Sequence, residues 1–267
     1  ELQCGALNTA KGNYKRAKEH LQRAKSINAD DRAFYYLGHN DYAQGAFDQA
    51  SRHFKRALEL NEKALDAKIG YAMALRAMGG EHKIGKALRT LNEVVNVYSR
   101  YKNQFELQSR DSRVFLERAE IYLQLKEDKR ALADLDRGLA IAPKSTSLTI
   151  AKAKALYYSR KTKSAMKLLR ELLDERPEEP EAHFFLARMH LASANTKAAI
   201  KHFELSIKHG QGTFRDVFEA HSSLINLYKE RNKRKKACEH MKRYLKTAPR
   251  GVTDREDIAE DIGRNCR

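Results

Sequence analysis

The chain has 267 residues, 52 of them Lys or Arg and 35 Asp or Glu, which leaves a formal charge of +17. Only 26 are Val, Ile or Thr, 13 are Gly and 4 are Pro; so few β-branched and turn-forming residues argue against sandwiches, barrels and α/β sheets and leave helix favoured. No stretch approaches the roughly 18 consecutive apolar residues that a membrane helix needs, and Cys4, Cys238 and Cys266 form no CxxC or Cys/His cluster, so no zinc site is expected.

Taken from the N-terminus, one phrase recurs. Gly12-Asn13-Tyr14-Lys15-Arg16-Ala17, followed by Leu21 and Ala24, returns as Gly45-Ala46-Phe47-Asp48-Gln49-Ala50 with Phe54 and Ala57. A third copy runs through Ala87, Leu91 and Val94, a fourth through Ala131, Leu135 and Gly138, and a fifth through Ala165, Leu169 and Leu172. The sixth has Ala199, Phe203 and Ile207, and the seventh Ala237, Met241 and Tyr244. The seven anchoring alanines are spaced 33, 37, 44, 34, 34 and 38 residues apart. Upstream of each anchor a bulky residue is followed three or four places later by a small one and then by another bulky one, as in Phe115, Ala119 and Tyr122. That spacing is helical, so each period is expected to be two helices joined by a short turn. Extra residues fall around Gly79–Lys83, near 97–112 (with Tyr98, Tyr101 and Phe105), and at Gly210-Gln211-Gly212. Residues 253–265 are expected to begin a closing helix, with Asp254, Glu256 and Asp257 where the helix dipole favours negative charge.

This pattern resembles the tetratricopeptide repeat family, whose repeats carry a large residue at position 4, Leu at 7, Gly or Ala at 8, Gly at 15, Ala at 20, an aromatic at 24, Ala at 27 and Pro at 32. Pro143, Pro177 and Pro249 fall on the closing position, and the likeness covers residues 1–250. Cys4 takes the Leu position of a first repeat that begins mid-helix, and is therefore expected in the core. The resemblance implies an all-α, right-handed α-solenoid superhelix of about seven helix-turn-helix repeats, in which stacked neighbours bury what no single repeat can. The expected organisation is repeats 1–3 over residues 1–101, an insertion or hinge at 102–112, repeats 4–7 over 113–250 and the start of a capping helix at 251–267.

In this family the first helix of each repeat lines a concave groove through positions 2, 5, 9, 12 and 13. Carried over, these give Arg32, Tyr35, His39 and Tyr42 from repeat 2, Tyr71 from repeat 3, and Arg113, Glu120 and Gln124 from repeat 4. Repeat 5 supplies Lys154, Tyr157 and Tyr158, repeat 6 Arg188, and repeat 7 Asn226 and Lys229. The lining is aromatic and basic, suited to a protein or peptide segment bearing acidic and aromatic residues. No window carries the Lys/Asn arrangement with which some members grip a C-terminal carboxylate. Repeat 3, with its insertion, has the loosest register.

Catalytic patterns are absent: no GxxxxGK[ST], GxGxxG, GxSxG or HExxH occurs. His183 and His190 share a helical face but occupy bulky structural positions, so they are expected in the core rather than on a metal. Residues 229–250 hold ten Lys or Arg against two Glu, centred on Arg231, Lys233, Arg234, Lys235 and Lys236, which fits a solvated turn, a nuclear-import pattern or contact with an acidic surface. The leading expectation is a non-catalytic scaffold or adaptor, without cofactor or metal, that holds a peptide or a subunit of a multiprotein complex. The rival is a nucleic-acid-binding helical-repeat protein that uses its basic surface. An odd, low cysteine count suits a reducing compartment, cytoplasmic or nuclear. The chain opens on Glu1 rather than Met and is read as part of a longer or processed product.

Overall fold

The computed structural model describes residues 1–100, 112–210, 217–248, 252 and 254–266, and among the described residues the chain forms fifteen helices and no strand. By compactness it divides into two units, Glu1–Leu148 and Thr149–Arg267.

The first unit holds α1 (Leu2–Ala10), α2 (Tyr14–Ile27), α3 (Asp31–Ala43), α4 (Phe47–Leu60), α5 (Leu65–Met78), α6 (Glu81–Arg100), α7 (Arg113–Gln124) and α8 (Asp128–Ile141). Helix α9 (Thr146–Tyr158) begins at its end. The second unit continues with α10 (Thr162–Glu175), α11 (Pro180–Ala192), α12 (Thr196–His209), α13 (Val217–Glu230), α14 (Arg234–Thr247) and α15 (Arg255–Asn265). Each anchor alanine lies on a second helix and is sealed from solvent: six are wholly buried and Ala237 is 2% exposed. Leu21, Phe54, Leu91, Leu135, Leu169, Phe203 and Met241, four residues further on, are buried in the same way, because positions i and i+4 share a helix face.

The turn inside the hairpins is built alike along the chain. Five residues before the anchor stands a residue with left-handed backbone: Gly12 (φ 76°) and Gly45 (φ 78°), then Lys126 (59°), Arg160 (60°), Ala194 (56°) and Asn232 (55°). Its N–H and the next one reach back into the first helix, as where Gly45 donates to Tyr42 O and Ala46 to Asp41 O, or Asn232 to Lys229 O and Lys233 to Tyr228 O. This double bond pattern closes a helix C-terminus and satisfies carbonyls that the helix leaves open.

Close approach depends on missing side chains. The Phe54 ring of α4 lies between Gly38 of α3 and Gly70 of α5; a Cβ on Gly38 would stand 2.8 Å from it. In α7–α8 a charged group is folded in: Arg118 donates to both oxygens of Asp134 (2.6 Å each) and to Asn92 Oδ1 (2.8 Å), so two nearly buried charges are paired in a fork. In the second unit Phe184, Phe203, Leu224, Tyr228 and Tyr244 form the centre of one cluster, with Ile258 and Ile262 of α15 packed onto it.

Several local expectations are revised. The extra residues near Gly79–Lys83 are placed as follows: Gly79 and Gly80 turn left-handed and Glu81–Lys83 open α6, which runs 20 residues where α2 and α4 run 14. Of the stretch near 97–112, Tyr98 lies on α6, whereas Tyr101, Phe105 and the expected hinge up to residue 111 lie outside the described residues, as do Gln211, Gly212 and Pro249. Cys4 is exposed rather than in the core. Cys238 of α14 and Cys266, just past α15, form a disulfide with their Cα atoms 5.6 Å apart. A disulfide belongs to oxidising conditions, so the cysteines no longer favour a reducing compartment. Among the described residues no helix is long and apolar enough to cross a membrane.

Candidate functional site

In the first unit the first helices pack on one another, α1 on α3, α3 on α5 and α5 on α7, and Tyr35, His39 and Arg113 meet along that layer. Arg113 of α7 ion-pairs with Asp66 of α5 and hydrogen-bonds the Tyr35 hydroxyl of α3. Burial raises the Tyr35 hydroxyl above its ordinary range, opposed by Arg113. His39 sits edge-on to Tyr35 (4.6 Å between ring centres) and Phe54 (5.2 Å). Burial, helped by Arg113, lowers His39 to about 4, and its Nε2 is buried without a protein partner. Tyr42 lies against Phe47, and Tyr71 beneath the Lys86 ammonium. Tyr35, Tyr42 and Tyr71 also pack on the Ala50–Phe54–Ala74 cluster, so each ring gives part of its surface to the core. A cavity of about 370 Å³ opens beside Tyr35, lined also by Tyr36, Tyr98, Asp31 and Asp66. Arg32, at its rim, is exposed and pairs with Asp30 at 3.2 Å. Glu120 is half-buried and Gln124 exposed.

One pair was missed from sequence. Arg76 of α5 donates to Glu117 of α7 through Nε (3.1 Å) and Nη2 (2.9 Å), tying successive first helices together. Burial pushes the Glu117 carboxyl up, against the pull of Arg76. The glycine insertion blurs the register of α5, which hid Arg76; Glu117 does not fall on a groove position.

The second unit carries its own set. Lys154 lies over the Phe185 ring (5.4 Å) and Arg188 over Phe184 (5.8 Å), geometry in which a cation is attracted to the ring face. Tyr157 and Tyr158 lean on each other, with Tyr158 47% exposed. Leu191, which sequence reasoning passed over, is 39% exposed. Asn226 is exposed, whereas Lys229 is held by an ion pair to Asp261 of α15. Arg231 and Lys233 are exposed in the turn before α14, and Arg234, Lys235 and Lys236 form its exposed first turn. Arg234 donates to Asn265 O (2.6 Å), and Lys236 lies over the Tyr228 ring (5.1 Å). Among the described residues no group of three or more His, Cys, Asp or Glu side chains is arranged to hold a metal ion.

A family profile described as a tetratricopeptide repeat matches residues 150–212. Within that span the chain is similar to tetratricopeptide repeats. Its array is similar to that of a thermophilic tetratricopeptide protein from Thermus thermophilus, at 21% identity over 71% of this chain and 97% of that one, with a TM-score of 0.61. It is also similar to the human IFIT1 dimer with m7Gppp-AAAA, at 17% identity over 94% of this chain and 59% of that one, with a TM-score of 0.75. Among curated proteins it is 24% identical over 196 residues to anaphase-promoting complex subunit 3 of Schizosaccharomyces pombe, covering 71% of this chain. The chain spans only 28% of that relative's length.

Proposed function

We propose that this protein is a non-catalytic scaffold or adaptor that holds a peptide segment, or a partner subunit of a multiprotein complex, against its first helices. The observation that carries this reading is the meeting of Tyr35, Asp66 and Arg113 beside a cavity, one residue from each of three successive first helices. An extended segment laid across α3, α5 and α7 would find tyrosine rings for contact area and a guanidinium for a carboxylate. Likeness to an anaphase-promoting complex subunit supports membership of an assembly. Binding to an array of extended peptides graded in acidic and aromatic content tests it. Tyr35→Ala should weaken acidic-aromatic peptides mainly through faster dissociation. Arg113→Glu should repel them, while Lys167→Glu and Lys201→Glu on second helices should not. Loss of binding in the second-helix variants alone would place the contact on the outer surface instead.

A second reading rests on one observation. Lys233–Lys236 crowd the N-terminal end of α14, where the helix dipole disfavours positive charge, so the dipole of α14 does not account for them. Their chemistry suits a phosphate backbone, and the IFIT1 structure contains m7Gppp-AAAA. Binding to single-stranded RNA that falls by orders of magnitude between about 50 and 200 mM salt, and disappears when Lys233–Lys236 become Ser, is the expected signature.

A further inference from the structure

Four anchor alanines are followed three residues later by histidine: Ala17 by His20, Ala50 by His53, Ala199 by His202 and Ala237 by His240. Each of these imidazoles sits on a second helix and looks back across its own hairpin. What stands opposite differs between the units. In the first, His20 meets Glu1 and His53 meets Asp41, each at 2.7 Å, contacts that a proton on the imidazole turns into ion pairs. In the second, histidine meets histidine. The Nδ1 atoms of His183 and His202 lie 3.1 Å apart between α11 and α12, and those of His221 and His240 lie 2.9 Å apart between α13 and α14. Both pairs are separated by 19 residues, so one arrangement occurs twice in the same register.

Two ring nitrogens at that distance share a single hydrogen. His183 Nε2 donates to Pro177 O (2.9 Å), which leaves His183 Nδ1 as the acceptor and makes His202 Nδ1–H the donor. Full protonation of a pair would set two N–H groups head to head on two charged rings.

The surroundings do not remove this conflict. Around the first pair, His190 stacks on His202 (5.6 Å) and His209 on His183 (6.1 Å). Arg170 of α10 and Lys201 of α12 add positive charge, opposed by Glu179 beside His183 and Glu178 3.9 Å from His209. Around the second pair, Tyr228 stacks on His240, Arg243 and Lys236 add positive charge, and Glu204 and Glu239 oppose it. His183, His190 and His221 are all buried.

We propose that these paired histidines make the second unit acid-sensitive: its α11–α12 and α13–α14 hairpins are closed at neutral pH and loosen in mild acid. Burial lowers all five imidazoles, with His202 and His221 at about 4. Folded values below the ordinary imidazole value mean that the open chain binds more protons than the closed one. The stability they contribute is therefore complete above about pH 7, declines as pH falls through about 6.5, and goes on declining to about 4. A pair that refuses one proton shifts its own opening equilibrium by about thirtyfold at pH 5, because an open-chain imidazole of pKa about 6.5 is then almost fully charged.

Native-state hydrogen exchange on the full chain at about pH 5 and about pH 7.5, corrected for the intrinsic pH dependence of exchange, tests this. The expected result is a loss of protection of tenfold or more in α12 and α14 in acid. His202→Asn combined with His240→Asn keeps a side-chain N–H toward each partner but cannot take up a proton, and should retain protection in acid. Should that variant lose helix content at neutral pH, His183→Phe with His221→Phe replaces it, since Phe34 already faces His53 in α3–α4 (6.3 Å between ring centres). Unchanged protection of α12 and α14 in the wild-type chain would overturn the proposal, and so would an equal acid loss in the folded variant.

Discussion

Gly70→Ala should destabilise the first unit even though it removes a glycine from a helix. A Cβ at Gly70 would stand 2.7 Å from Phe54 Cζ and 2.8 Å from Cδ1, and closer still to Cε1. Carbon–carbon contact is comfortable at about 3.5–4.0 Å, so the ring would have to retreat by most of an ångström. It has nowhere to go: Phe54 is wholly buried, the Gly38 backbone faces its other side, and His39 stands edge-on at 5.2 Å. Overpacking a filled core costs about 1–3 kcal/mol, and such a clash belongs at the upper end. Replacing Gly by Ala inside a helix returns about 1 kcal/mol, leaving a net loss of about 1–2 kcal/mol. Gly85 of α6 provides the contrast, since nothing lies within 4 Å of its Cβ position; Gly85→Ala should gain about 0.5–1 kcal/mol. Urea unfolding followed by far-ultraviolet circular dichroism would measure both. Phe54→Leu in the Gly70→Ala background should recover part of the loss. If Gly70→Ala and Gly85→Ala shift the midpoint in the same direction, the ring-between-glycines account of α3–α4–α5 is wrong.

Other expectations follow from the same packing. Ala165→Leu and Ala199→Leu, both at sealed anchor positions, should each cost about 1–3 kcal/mol in the same urea experiment. Asp134→Ala should cost about 3–5 kcal/mol because it strands Arg118 without its partner, whereas Arg118→Met with Asp134→Leu should be near neutral. Breaking the disulfide with Cys238→Ser or a reductant frees a 28-residue separation, worth about 3–4 kcal/mol on loop entropy; exchange in α15 with and without reductant reads it directly.

The hairpins were legible because their signal is a repeated steric need. A small residue is required wherever two helices touch, and Ala17, Ala50, Ala87, Ala131, Ala165, Ala199 and Ala237 answer it at a near-constant interval. What escaped the sequence depended on register or on pairing at a distance. The Gly79-Gly80 step could equally have opened a loop; only α6 packing on α5 decides that Glu81–Lys83 are helical. Cys238 and Cys266 looked unrelated because the fold of α15 back onto α14, not their spacing, brings them together. Among candidate side chains, Arg113 and Tyr35 meet, but Lys229 is taken by Asp261, an acidic partner on a helix whose docking the repeat pattern does not describe. Of the facing histidines only His183 was read from sequence, as a bulky core position, since a contact across a hairpin leaves no mark in a reading that follows one helix face at a time.

The left-handed turn residue has a practical consequence. Lys126, Arg160 and Ala194 hold a backbone that glycine adopts freely and other L-residues adopt at about 1–2 kcal/mol. The same bend with glycine at 12 and 45 shows that the flanking helices, not the residue, impose it. Thermostability could therefore be raised one turn at a time, with Lys126→Gly, Arg160→Gly and Ala194→Gly as additive steps. Because all three side chains are exposed, such an engineered chain would keep every buried contact and every inner-face residue of its parent, separating the tuning of melting temperature from the tuning of recognition.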